Sequence, residues 1–439
     1  MKFLLSLLLL NLSLFAVNLS LTGNQEYSNK STNNTISINH SFNSNNENII
    51  IENKNVKFNY LNDYKKIKPT ISFKNIDNAK SIIVEQLLKF DIEQLNYFTI
   101  IEDNENSDFV FEYRIRENLK NNKYYFEFNV IENGNNVIYS RIDDDKKNIY
   151  FLLHKSIYLF GINLGYEKKE IEWMTKKILL VNNYIKQKQQ IILTDYTLQH
   201  KEVLLSNGMF SFPKWSNDNQ TSFFYTSLKE ELPTLFEYNL NDKKTTKILE
   251  NEGLLICSDV SKTNNKFLLL TLNKNGQSDI FLYNLQTKLK TQLTFYKGSD
   301  VNPKFVSESK IAFVSDRKVK PFIYLKQIGQ KSIIEQITSE YPTSSFDSVN
   351  ENIVFKMKKS NEKYAINDYD LYFRNINKEK NIKLTNGGHN SLETMSSNGK
   401  IILFKKFDNL KSNIVLLNTD NGVSQFINHK FENILSMEW

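Results

Sequence analysis

From residue 173 to residue 439 the chain repeats itself with a period near 45, and this limits its architecture more than any other feature. A hydrophobic anchor recurs at Trp215, Val260, Phe305, Val349, Met395 and Trp439, at spacings of 45, 45, 44, 46 and 44. A second register places a basic or amide residue before an apolar one, often followed by Thr. It includes Leu249, Leu293, Ile337 and Leu384. Two more strand-like runs lie between the registers, as at 266–271 and 279–285. Four short strands per unit at this period predict a β-propeller. One small twisted sheet cannot hide both its faces, but sheets stacked radially cover one another. An open β-solenoid would need shorter repeats.

Six anchors imply six blades. The last anchor is also the last residue, so its unit has an inner strand and nothing after it. The runs at 177–182, 189–196 and 201–205 precede the first anchor and supply three outer strands. The expected fold is therefore an α+β N-terminal domain followed by an all-β six-bladed propeller closed by the C-terminal strand. Closure of this kind removes two exposed sheet edges.

The expected domains are a signal peptide at 1–16, an Asn-rich segment at 17–59, an α/β domain at 60–168 and the propeller at 169–439. Met1-Lys2 is a short positive start, residues 3–10 and 12–15 are apolar, and Ala16 suits a cleavage site. Asn11 and Ser13 leave the run too short for a membrane anchor. The mature chain is expected beyond the inner membrane, in the periplasm, and not to span it. The single cysteine, Cys257, excludes an internal disulfide and a lipid-bearing cysteine near the cut. Residues 17–55 have little apolar periodicity and read as a tether with room for one weak strand. A helix is expected over 81–90, then an antiparallel meander over 109–115, 124–130 and 137–142 with turns at Asn121-Asn122 and Asn133-Gly134. A second helix carries Ile149, Leu152, Leu153, Ile157 and Phe160 on one face. Asp143, Asp144 and Asp145 read as its solvated, dipole-favoured cap.

The composition, 40% hydrophobic and 24% charged, can bury a sizeable core. The net charge of +7 is spread along the chain without a basic block or reading motif, so no nucleic-acid partner is expected. No Gly-x-Ser-x-Gly occurs, which removes the hydrolase of peptidase propellers. The five histidines, His40, His154, His200, His389 and His429, show no zinc spacing. His154 reads as packing or surface, and Asp368 with Asp370 as outer-strand carboxylates. No Gly-rich phosphate loop is present. No cofactor or metal is expected.

A secretory start, a small α/β domain and a six-fold propeller together resemble the TolB-like family of the Tol–Pal system. The resemblance covers roughly 70–439. It is sharpest at Trp173-Met174-Thr175-Lys176-Lys177-Ile178, at Phe212-Pro213-Lys214-Trp215-Ser216, at the repeated x-Leu-Thr strand ends and at Met437-Glu438-Trp439. One departure is plain. The family's Pro-Asp-Gly turns are replaced by Ser216-Asn217-Asp218-Asn219, Ser261-Lys262-Thr263-Asn264 and Ser396-Ser397-Asn398-Gly399. Asn can adopt the same left-handed turn. The resemblance implies a non-enzymatic periplasmic adaptor. It would bind the peptidoglycan-associated lipoprotein Pal through the propeller and TolA through the N-terminal segment, with other outer-membrane proteins as further partners, and support outer-membrane integrity and constriction during division. The mouth of the central channel is expected to be lined by loops entering the inner strands, carrying Ser211, Ser258, Asp300, Val301, Asn302, Thr343, Ser344, His389 and Asn390. The alternative is an exported propeller enzyme or carbohydrate-binding protein using the channel.

Overall fold

The computed structural model describes residues 50–52, 68–77, 82–104, 106–118, 120–185, 188–263, 265–274, 276–329, 334–358, 369–408 and 411–439. The expected signal segment, almost all of the Asn-rich segment, Asn264 and Asp368 lie outside them.

The N-terminal region is a six-stranded sheet under two helices. Strand order is Ile50–Glu52, Asn135–Asp145, Lys123–Glu132, Phe109–Asn118, Thr70–Asn75 and Thr99–Ile100. Thr70–Asn75 runs parallel to both its neighbours, and the other pairs are antiparallel. Alternation puts Phe109, Phe111 and Tyr113 inside and Val110, Glu112 and Arg114 at the surface side. Helix α1 (Ile82–Leu95) runs one turn beyond its expected end, and helix α2 (Ile149–Asn163) covers the sheet. Phe160 of α2 stacks on Phe98 at 5.8 Å and meets Phe111 edge-on at 5.6 Å. Gly161 lets α2 lie close against Ile171 and against Leu95 of α1: a Cβ there would lie 2.6 Å from Ile171 Cδ1 and 3.2 Å from Leu95 Cδ2. The acidic run corrects one expectation. Asp143, Asp144 and Asp145 end a strand, and Asp144 is buried, with Oδ1 accepting from Asn148 Nδ2 at 2.7 Å. Strand alternation turned it inward, and burial pushes its carboxyl up to about 7.

From residue 178 on, the chain is a β-propeller of short antiparallel strands. Four-stranded sheets span 210–250, 255–292 and 300–336. The strands over 343–383 and 389–427 form one path joined at the Tyr369–His389 pair. Ile434–Glu438 pairs with Ile178–Ile185, followed outward by Lys188–Thr194 and Glu202–Gly208. Trp215, Val260, Val349 and Met395 are the last residues of their inner strands, and Trp439 directly follows the last one.

The recurring Thr has a specific task. Where the short outer strand gives out, the hydroxyls of Thr294, Thr338 and Thr385 accept the main-chain N–H of Ile280, Ile323 and Leu371, each at 2.9 or 3.0 Å. A side chain thus continues the ladder. In the altered turns the left-handed residue is Gln220, Asn265 or Gly399, with φ of 53°, 53° and 69°.

Candidate functional site: the channel mouth and its charged floor

Six inner strands converge on a cavity of 270 Å³: Phe210–Trp215, Leu255–Val260, Asp300–Ser307, Thr343–Val349, His389–Met395 and Ile434–Glu438. Each shifts register against its neighbour: between Ser211 and Lys214, Cys257 and Asp259, Val301 and Lys304, Thr343 and Ser345, Ser391 and Thr394, and Ile434 and Ser436. A bulge of this kind re-aims a side chain. In alternate strands it requires a left-handed residue: Phe212 (φ 52°), Asn302 (φ 52°) and Leu392 (φ 57°), all three lining the cavity. Phe and Leu adopt that conformation rarely, at roughly 1–3 kcal/mol each, and such strain clusters at functional sites.

Below the bulges the channel is crossed by charge. Lys214, Asp259, Lys304, Asp347, Thr394 and Glu438 come one from each inner strand, so cation and anion alternate until Thr394 takes a cation's place. Lys214 pairs with Glu438, and Lys304 with Asp347 at 2.5 Å. Asp347 Oδ2 also accepts from Met395 N at 2.9 Å, as Asp259 Oδ2 does from Phe305 N at 2.7 Å. Burial alone would raise the Asp347 carboxyl, but Lys304 and Lys214 overturn that and hold it well below the usual carboxylate range. Burial would lower the Lys304 ammonium, and Asp347, Glu438 and Asp259 raise it instead. A second cavity of 80 Å³ shares Lys304, Asp347 and Glu438 with the first. The charges therefore form a floor between two chambers.

The expected site residues divide into two groups. Ser211, Ser258, Val301, Asn302 and Ser344 line the mouth cavity together, from within strands and not from loops before them. Asp300, Thr343, His389 and Asn390 are not in its lining. Asp300 is fully buried and accepts both oxygens' bonds from Arg317 Nη2, at 2.9 and 3.0 Å. Thr343 is fully buried. Asn390 is buried and donates to Tyr369 O at 2.8 Å, tying two sheets together, while His389 packs against the Tyr369 ring. Asp370 is buried in an ion pair with Lys383 at 2.9 Å. The chain beside the lining residues exposes Met209 and Val319, the latter 90% exposed, while Phe295, 74% exposed, stands four residues before the lining Ser299 and the exposed Phe407 is the register partner of His389. Among the described residues no group of three or more His, Cys, Asp or Glu could hold a metal ion.

Of the two expectations for His154, packing and surface, the structure takes the first and adds an ionic role. It is completely buried where helices α1 and α2 meet the propeller. Its Nδ1 lies 2.7 Å from Asp91 Oδ2 on α1, and its Nε2 lies 3.3 Å from Asp195 Oδ2, just past the strand Lys188–Thr194. Asp195 accepts from the N–H groups of Thr197, Gln199 and His200 at 2.8, 3.0 and 2.7 Å, which fixes its negative charge. Burial raises Asp91, and Tyr196 donates its hydroxyl to it. Burial would lower the imidazole, but the two carboxylates push it up to about 9, so His154 is an imidazolium donating to both. Tyr196 stacks on Trp439 at 6.3 Å and meets Trp173 edge-on at 5.0 Å, so the C-terminus joins the same junction.

Comparison with known proteins places this geometry. Residues 171–439 match the TolB beta propeller domain model. The chain is 32% identical over 360 residues to the Tol-Pal system protein TolB of Campylobacter jejuni strain RM1221, covering 78% of this chain and 84% of that protein. It is 32% identical over 292 residues to that of Wolinella succinogenes, covering 66% and 68%. The crystal structure of TolB from Acinetobacter baumannii superposes with a TM-score of 0.68 over 85% of this chain and 97% of that one, at 16% identity, a likeness of fold. The chain belongs to the TolB β-propeller family.

Proposed function

We propose that the chain is a non-enzymatic periplasmic adaptor of the Tol–Pal system that receives the peptidoglycan-associated lipoprotein Pal in the channel mouth and contacts TolA through its N-terminal segment, supporting outer-membrane integrity and constriction. In this reading the propeller has six blades and is closed by Ile434–Glu438. The domains are divided as 1–16, 17–59, 60–168 and 169–439. The docking residues include Ser211, Ser258, Val301, Asn302 and Ser344, with Asp300, Thr343, His389 and Asn390 as the framework behind them.

The observation that carries the reading is the mouth itself: a concave chamber with strained bulges, with Met209 and Val319 exposed in the chain beside its lining. A concave chamber with exposed apolar side chains beside it suits a protein contact. The cavity carboxylates also suit an adaptor. Asp316, Asp347, Glu393 and Glu438 are each bonded, to Ser299 N, Lys304, Ser345 Oγ and Lys214, which leaves no free pair for acid–base work. Calorimetric titration with the soluble domain of Pal from the same organism is expected to show saturable one-to-one binding. Phe295→Ser combined with Val319→Ser is expected to weaken it at least ten-fold. Absence of binding to the unaltered chain refutes the reading.

A further inference from the structure

Among the described residues, seven charged side chains line the mouth cavity, and six of them have a bonded partner. Lys214 and Lys304 are held by Glu438 and Asp347, Asp316 by Ser299 N at 2.8 Å, and Glu393 by the Ser345 hydroxyl at 2.5 Å. Lys356 is the seventh. It is 9% exposed, and among the described residues it makes no hydrogen bond or ion pair. Its ammonium lies over the Tyr369 ring, 5.2 Å from the centroid. It is the register partner of Ser345, so it shares the wall with Glu393. The ammonium borders the cavity with no bonded counter-ion, and a lysine partly stripped of water in this way gains when something arrives to pair with it. Desolvation accordingly pulls its ammonium below the usual lysine range, with Glu393 opposing, and pushes Glu393 up.

We propose that Lys356 is the anchor of the mouth cavity for a carboxylate: an acidic side chain, Asp or Glu, on a segment that the docking partner inserts. The inference rests on the adaptor reading and adds the chemistry of the partner's contact. Charge complementarity selects this occupant. The other cations of the lining are already neutralised, the chamber is otherwise mostly apolar, and an incoming carboxylate desolvates where a buried ammonium waits. Tyr369 holds the ammonium in place beforehand. Glu393 opposes the incoming charge and sets a limit on affinity.

The test is titration with the soluble domain of Pal against two variants whose effects have opposite sign. Lys356→Met keeps the length of the side chain and is expected to weaken binding at least ten-fold. Its melting temperature should stay at or above the unaltered value, because an unpaired buried charge has gone. Glu393→Gln keeps the lysine and is expected to tighten binding about three-fold. Neutralising each acidic residue of Pal in turn should reveal one whose loss weakens binding to the unaltered chain and has no further effect on Lys356→Met. Binding by Lys356→Met within two-fold of the unaltered chain, or weakening by Glu393→Gln, overturns the anchor while leaving the adaptor reading intact. No binding of Pal to the unaltered chain overturns both.

Discussion

A chain that stops at His429 is expected to lose its cooperative melting transition. The missing strand Ile434–Glu438 is the partner of Ile178–Ile185, whose row of N–H and C=O groups would be left bare. Ile434 and Met437 are buried, and each buried side chain of this size contributes about 1.5–3 kcal/mol. Lys214 would also lose Glu438, leaving a charge in the channel floor without its ion pair. Trp439 would leave the junction with Tyr196 and Trp173. Together these losses rival the roughly 5–15 kcal/mol by which a whole domain is stable. Differential scanning calorimetry decides the matter: a truncated chain that melts within a few degrees of the full one would show that the terminal strand does not close the propeller.

Replacing His154 by Ala is expected to destabilise the chain by about 3–5 kcal/mol, the usual cost of stripping one partner from a buried ionic group. Asp91 and Asp195 would face each other unscreened across the junction between helices and propeller. Adding Asp91→Asn to His154→Ala removes one of the two stranded charges and should restore part of the loss, which a coupled pair requires. The cluster also gives the stability a pH dependence of definite sign. The folded imidazole titrates at about 9 and the unfolded one near 6.5. Its contribution, on the order of 3 kcal/mol, is complete below pH 6.5 and is lost as pH rises through 9. Melting temperatures measured from pH 6 to 10 should fall over that interval for the unaltered chain and stay flatter for His154→Ala. Equal slopes would contradict the assignment.

The architecture was legible because its causes are periodic. The recurrence of Trp215, Val260 and Met395 at strand ends, and of Leu-Thr at the outer edge, follows from the same four-strand unit being built again and again. The strands Phe109–Asn118 and Lys123–Glu132 could be read from simple alternation. The site was only half legible. Ser211, Ser258, Val301, Asn302 and Ser344 were found from their place ahead of the anchors. Lys356 was missed because it lies on the second strand of its sheet and reaches the cavity from behind Ser345. The floor was missed although a signal for it existed: Lys214 and Lys304 stand 90 residues apart, with Thr394 a further 90 on, a two-unit period overlaid on the single one. The bulges at Phe212, Asn302 and Leu392 repeat the same double step. His154 could not have been placed from its own surroundings. It lies on a helix whose face looked apolar, and its partners are 63 and 41 residues away. Asp144 was misplaced because a run of three acids before a helix looks like a cap when the strand before it is read too short.

The account stands on the channel mouth being the docking surface, and amide hydrogen exchange with and without the soluble domain of Pal tests this most directly. Protection is expected in the segments around 209–213, 295–302, 316–321, 343–346 and 389–393, with the outer strands Thr245–Glu250 and Ser424–Ile427 unchanged. Protection confined to those outer strands or to the sheet of the N-terminal region, with the mouth exchanging as freely as before, would contradict it.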